Sequence, residues 1–375
     1  MSINSTLKHE GIEIISQLTQ DEVNRIAHEI SDKLCNKFPE HNLDNEKLCE
    51  AISKLNMYVA KFPTCDSIAK YFYKNSSVYF SDKIDLNDLN TLAIHECIHF
   101  IQEIKNNRGK LIRLGLYKLR PANRGMAANE AAVQYMASLT TKCKYDSVKY
   151  YGMEFNTISS DYYPLETAIM SQLIYFTGNY PLLHSTIYSD DIFENTIATK
   201  TDKSIYNTVC RNLDIIMNLE EQLAKHTYHI YTLGDNASES KLAKIRKKQD
   251  KTRELILERA ISTQNLILYN FVNTEFDQIT DIDDCKKFQA KLYNFKHYII
   301  HTDNYNYYNE FYIDMMNKLQ ERRELIESGK FVNKAISKEL ALVDNSKNPI
   351  YLIQKMIAKV KLLIEERTRE KNFND

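Results

Sequence analysis

The stretch that decides the fold reads Leu92-Ala93-Ile94-His95-Glu96-Cys97-Ile98-His99-Phe100-Ile101. His95 and His99 are four residues apart, so on a helix they project from one face. Two imidazoles so placed can bind one Zn2+. Glu96 lies beside them and can reach a metal-bound water as a general base. The residues around these three are uncharged. A buried helix that holds metal ligands rigidly needs such an apolar jacket, whereas a surface helix would carry charge there.

Working outward on the N-terminal side, Ser77-Val78-Tyr79-Phe80-Ser81 is a compact β-prone run. It offers an edge on which an extended chain could pair. Asp85-Leu86-Asn87-Asp88 supplies N-cap candidates, which predicts a helix from there to about Lys105 that closes near Asn106-Asn107-Arg108-Gly109. On the C-terminal side the pattern predicts a second helix from about Gly125 to Thr140. It contains Asn129-Glu130-Ala131-Ala132-Val133-Gln134-Tyr135. A catalytic zinc site needs a third protein ligand and an open fourth position, and Glu130 is placed to be that ligand. Gln134, one turn on, shares its face and can hold the outer nitrogen of a ligand histidine. Ala127, Ala128, Ala131 and Ala132 would let the two helices pack closely.

Over about residues 76 to 140 the sequence resembles the gluzincin metallopeptidases: a helical HExxH, then a helical Asn-Glu with small residues and a Tyr. The resemblance implies His95, His99 and Glu130 as zinc ligands and Glu96 as the catalytic base. It places Asn129 and Tyr135 in the family's habit around the third ligand. Gln134 falls where thermolysin-like members carry an acidic residue, and a neutral amide there makes the ligand histidine less basic. The family also stabilises the oxyanion with a downstream His or Tyr. Tyr162, Tyr163 and His184 are the candidates here. No third-histidine extension follows His99, which excludes the metzincin type.

Elsewhere, Gly11 to Ser16 predicts a short strand, and Thr19-Gln20-Asp21-Glu22 a capping box that opens a helix. A further helix is expected over 46–60. A hairpin is expected over 144–160, and Pro164 opens a helix ended by Gly178. Beyond about residue 200 charged helical patterns dominate, with helices expected at 238–271, 281–300, 305–327 and 347–370. The chain has 375 residues, of which only 8 are Gly and 6 Pro, so long helices are favoured over a turn-rich β fold. These features predict a mainly helical α+β fold. It would comprise an N-terminal helical part at 1–75, a zincin-like core with a small sheet at 76–200, and a helical domain at 201–375.

The formal net charge of −1 gives no field that points to nucleic acid. Seven scattered cysteines, Cys35, Cys49, Cys65, Cys97, Cys143, Cys210 and Cys285, argue against a disulfide framework and for a reducing compartment. No apolar leader and no membrane span is visible, so the expected location is the cytoplasm. Cys97 reads as a small buried apolar residue rather than a nucleophile. The pairs His297/His301 and His226/His229 lack a carboxylate or cysteine partner and read as packing or surface. The basic run from Lys241 to Arg253 is interspersed with Asp250 and Glu254 and reads as a solvated helix face. The expected activity is zinc-dependent hydrolysis of a peptide or protein substrate, with no nucleic-acid or membrane partner. The alternative is an inactive zincin-like interaction protein whose helical C-terminal half binds a partner or another copy.

Overall fold

A computed structural model of the chain describes residues 3–63, 68–119, 123–233, 238–303 and 306–331. The fold is α+β and mainly helical. The helix expected at 347–370 lies outside the described residues. Contacts divide the chain into two compact units, residues 1–274 with 297–306, and residues 275–296 with 307–375. The boundaries expected from sequence, 75/76 and 200/201, both fall inside the first unit.

The first unit opens with α1 (Ile3–Glu10), β1 (Glu13–Gln17), α2 (Gln20–Lys37) and α3 (Asn45–Ile52). The capping box is present: Thr19 accepts from the Glu22 amide and Glu22 reaches back to the Thr19 amide. Val23, Ile26, Ala27, Ile30 and Leu34 form the buried stripe of α2. The helix expected over 46–60 stops at Ile52 instead, and β2 (Asn56–Lys61) follows. Met57 and Ala60 are buried on this strand, which pairs in parallel with a neighbour further on. Its tertiary partner overrides the local helical pattern.

Next come β3 (Ala69–Phe72) and β4 (Ser77–Ser81). The sheet order is β1-β2-β4-β3, with β4 parallel to β2 and antiparallel to β3. Every residue of β4 is buried, so the run expected to offer an edge is an interior strand. The edges are β1 and β3, and β3 carries one row of backbone groups not used by the sheet. Against it packs α4 (Thr91–Ile101), the motif helix.

The described residues continue with β5 (Glu103–Lys105), β6 (Leu111–Leu114) and β7 (Tyr117–Lys118), a three-stranded sheet. Then come α5 (Met126–Thr140) and the hairpin of β8 (Asp146–Tyr150) with β9 (Met153–Thr157). The helices α6 (Pro164–Thr177), α7 (Asn179–Tyr188) and α8 (Ile192–Lys200) follow. Gly178, at φ 82, ends α6. The two long helices are α9 (Ser204–Leu233) and α10 (Glu239–Asp277). They run antiparallel, because Asn212 Nδ2 donates to Thr263 Oγ1 at 3.0 Å and Gln249 Nε2 donates to Thr227 Oγ1 at 3.0 Å.

In the second unit the described helices are α11 (Ile282–Phe295) and α12 (Tyr307–Glu327). Asp281 caps α11, and the Tyr308 hydroxyl donates to the Leu292 carbonyl. The helix expected to reach residue 300 ends at Phe295 and passes into a short 3-10 turn. His297 and His301 therefore do not share a helix face. No helix among the described residues is long and apolar enough to cross a membrane.

Candidate metal centre

The motif helix starts later than the acidic cap candidates suggest. Asn90 is its N-cap, its side chain accepting from the Ala93 amide at 3.0 Å. It also ends earlier, at Ile101, because Glu103–Lys105 leaves the helix to pair with β6. Within α4, Leu92, Ala93, Ile94, His95, Cys97, Ile98 and His99 are buried. The partner helix α5 presents Ala127, Ala128, Ala131 and Ala132, all fully buried. Small side chains on that face let the two backbones approach closely. The start of α5 has no side-chain cap of its own. Asp214 of α9 supplies one, accepting from the amides of Gly125 and Ala127 at 2.9 Å each.

This packing brings His95, His99 and Glu130 together. The two Nε2 atoms are 3.0 Å apart, and Glu130 Oε2 lies 3.2 Å from His95 Nε2 and 3.4 Å from His99 Nε2. Ligand atoms about 2.0–2.1 Å from a tetrahedral zinc stand roughly 3.3–3.4 Å from one another. The three atoms therefore outline one face of a coordination tetrahedron.

Their protonation follows from a hydrogen-bond chain that ends on main-chain carbonyls. Ser159 Oγ donates to the Tyr162 carbonyl at 2.6 Å, so it accepts from Gln134 Nε2 at 2.9 Å. The Gln134 oxygen then faces His95 Nδ1 at 2.9 Å. Likewise Gln102 Nε2 donates to the Thr186 carbonyl at 2.7 Å, which turns its oxygen toward His99 Nδ1 at 3.3 Å. Both Nδ1 atoms thus carry hydrogen, which leaves the Nε2 atoms as the positions that face the Glu130 carboxylate, with a lone pair when a metal is bound and with a proton otherwise. Either a metal ion or a proton among these three atoms relieves their mutual repulsion. The residues present fit a zinc ion.

The electrostatics agree. Burial pushes Glu130 up, but the imidazoles of His99 and His95 outweigh it and hold the carboxyl well below its usual range. Burial opposes charge on His99, yet Glu130 overrides it and the pKa is pushed up to about 9. Without a metal, a proton has to occupy the space between these groups.

Glu96 also lies at the site. Its carboxylate accepts from the Tyr71 amide on β3 at 2.7 Å. Burial pushes its pKa up, and the charges of His95 and His99 act against that. Tyr163 lies on the other side. Its ring stacks on His95 with centroids 6.0 Å apart at 16°. The Glu130 charge and then burial hold its phenol well above the ordinary value, so it remains an O–H donor. Tyr163 has φ 49 directly before Pro164, a conformation disfavoured for a bulky residue and for any residue preceding proline. Such strain is typical of functional sites.

Of the three oxyanion candidates, the structure brings Tyr163 to the centre. Tyr162 contributes its carbonyl to the shell around Gln134. His184 sits elsewhere, paired with Asp190 at 2.8 Å and packed at tilted angles among the rings of His41, Tyr180 and Tyr188. Tyr135 points its hydroxyl to Asn179 at 3.0 Å, and Asn129 Oδ1 accepts from the Leu116 amide at 3.0 Å and from Gln102 at 3.3 Å. Cys97 is fully buried and its thiol is pushed up by burial and by Glu96, which suits packing rather than attack.

Sequence reasoning missed Gln102, Ser159 and Tyr71. Gln102 could have been found, because it follows His99 by three residues on the same helix end. The other two are set by tertiary packing alone. Compared with known proteins, the chain matches no protein-family model, no curated protein and no solved structure.

Proposed function

We propose that this protein is a zinc-dependent metallopeptidase of the gluzincin kind. The observation that carries this reading is the convergence of three atoms able to ligate a metal, His95 Nε2, His99 Nε2 and Glu130 Oε2, at 3.0 to 3.4 Å. A zinc ion held there supplies Lewis acidity toward a carbonyl and acidifies a water. The chain's own groups do the rest. Glu96, beside the ligands, takes the proton of the attacking water and passes it to the leaving amine. Tyr163 keeps its O–H and donates it to the oxygen on which charge develops. Gln134 and Gln102 fix the tautomers of the two histidines, so that the lone pairs converge. The edge strand β3 runs beside the site and can hold an extended chain by main-chain hydrogen bonds.

Purified protein is expected to retain about one zinc per chain and to cleave a casein or peptide library. Glu96→Gln is expected to keep the metal and lose cleavage by about 10²–10⁴-fold, the range for general acid–base catalysis. A protein that binds no zinc, with thermal stability unchanged by chelator, overturns the reading. Zinc retained with no cleavage by wild type or variant points instead to an inactive zincin-like interaction protein.

A further inference from the structure

The distal part of the α9–α10 hairpin carries a charge distribution that the metal centre does not use. Ile245, Gln249, Thr252 and Ile256 are buried on α10, and this line faces α9. Lys241, Lys244, Lys248 and Lys251 follow i, i+3, i+7, i+10. At about 100° per residue they fall within roughly 80° on one flank of that line. All four are exposed, as is Lys247 beside them. In the linear sequence Glu239, Asp250 and Glu254 look like neutralising partners. On the helix Glu239 and Asp250 stand on the opposite flank, where Asp250 pairs with Arg253 at 2.9 Å, whereas Glu254 follows Lys251 by three residues, shares the outward direction of Lys247 and borders the row at its C-terminal end. Among the described residues, none of the five lysines lies within ion-pair distance of a carboxylate.

The hairpin register extends this face across both helices. The pairs 212/263 and 227/249 set residues 226 and 229 opposite residues 247 to 250. On the lysine side α9 then contributes Gln222, His226 and His229, with no carboxylate. The exposed tyrosines of this region, Tyr228 and Tyr231, lie on the other side. The result is a cationic face about 15 Å long along the helix axis from Lys241 to Lys251, with Glu254 and Glu258 following at its C-terminal end.

We propose that this face binds the phosphate backbone of a nucleic acid duplex without reading its sequence. Lysine is a point charge that suits phosphate and carries no fork for base edges. The face has no Tyr, Phe or Trp on which successive unstacked bases could stack, its rings being the small imidazoles of His226 and His229, which disfavours a single strand. It has no cluster of exposed apolar side chains to enter a bilayer, which disfavours a membrane. A rigid row of lysines instead matches the regular phosphate spacing of a duplex.

Anisotropy of a labelled duplex of about 30 base pairs tests this, with a single strand of equal length and phosphatidylserine vesicles as further arms. About four phosphate contacts predict a slope near −4 in log K against log salt, hence weakening of roughly 10²-fold between 50 and 200 mM. The triple variant Lys244→Glu, Lys248→Glu, Lys251→Glu is expected to abolish binding, with helicity by circular dichroism unchanged. Arg246→Glu, on the opposite flank, is expected to leave duplex affinity within about twofold. The proposal is overturned if the duplex does not bind, if the single strand or the vesicles bind tighter than the duplex, or if Arg246→Glu weakens binding as much as the triple variant. The metal centre takes no part in this test.

Discussion

Gly115 has φ 55, and a Cβ built there would sit 2.1 Å from Asn129 Oδ1 and 2.3 Å from Gln102 Nε2. Neither neighbour is free to move. Gln102 is bonded to the Thr186 carbonyl, and Asn129 accepts from the Leu116 amide. Gly115→Ala is therefore expected to push Gln102 off His99 and to weaken zinc binding about 10–100-fold, the usual effect of losing an outer-shell partner. Competition against a chelator of known affinity reads this. Unchanged affinity would show that the amide of Gln102 does not set the ligand. On the opposite side of the centre, Tyr163→Phe removes one hydroxyl and keeps the ring stacked on His95. The expected result is kcat lowered about 10²–10³-fold with KM and metal content little changed. An unaltered kcat would remove Tyr163 from the chemistry.

At the scale of elements, the helix that carries Glu130 depends on one that begins 64 residues later in sequence than its own end, since α5 closes at Thr140 and α9 opens at Ser204. The Asp214 carboxylate caps α5 through two amides and also complements its dipole. Asp214→Ala is expected to cost about 1–2 kcal/mol, read as a lower unfolding midpoint, with a matching loss of zinc affinity. Asp214→Asn should recover part of it, since its amide oxygen still accepts. This dependence was not legible in the sequence, because Gly125 shows where a helix can begin but not what stabilises it. Periodic, capped segments were legible: α2 from its capping box, α5, the β8–β9 hairpin, and α6 between Pro164 and Gly178. That His95 and His99 share one face was legible too, since their i, i+4 spacing sets it, whereas their meeting with Glu130 depends on how α4 and α5 pack. Segments whose state depends on a partner were misjudged. Met57 to Ala60 pairs with β4, Glu103 to Lys105 pairs with β6, and β4 lies inside the sheet, whose edges are β1 and β3. Nothing local to those residues announces the partner.

For the molecule as a whole, the balance of stability against pH has an unusual contributor. Glu166 on α6 is fully buried, and its carboxyl meets that of Glu220 on α9 through a side-chain hydrogen bond. Burial, and then the Glu166 charge, push Glu220 up to about 10. A carboxyl raised in the folded state binds its proton more tightly there than in the unfolded chain. Its contribution is complete below the unfolded value near 4.5 and is lost as pH rises toward 10. Between pH 6 and 9 the wild type is expected to lose stability with rising pH, by up to about 1.4 kcal/mol per unit for one proton. Glu220→Gln is expected to flatten that slope and to raise the unfolding midpoint at pH 8. Parallel pH profiles for the two proteins would show that the pair does not hold a proton.

The hydrogen-bond chains behind the two histidines end on the carbonyls of Tyr162 and Thr186. A main-chain carbonyl is present whatever residue occupies the position. Drift in side-chain identity at 162 and 186 therefore leaves the tautomers of both ligands intact, provided the local backbone path is kept. Drift at 102, 134 or 159 does not, because those links are side chains. The information that orients the metal centre is thus stored partly in the shape of the backbone, where substitutions cannot erase it directly.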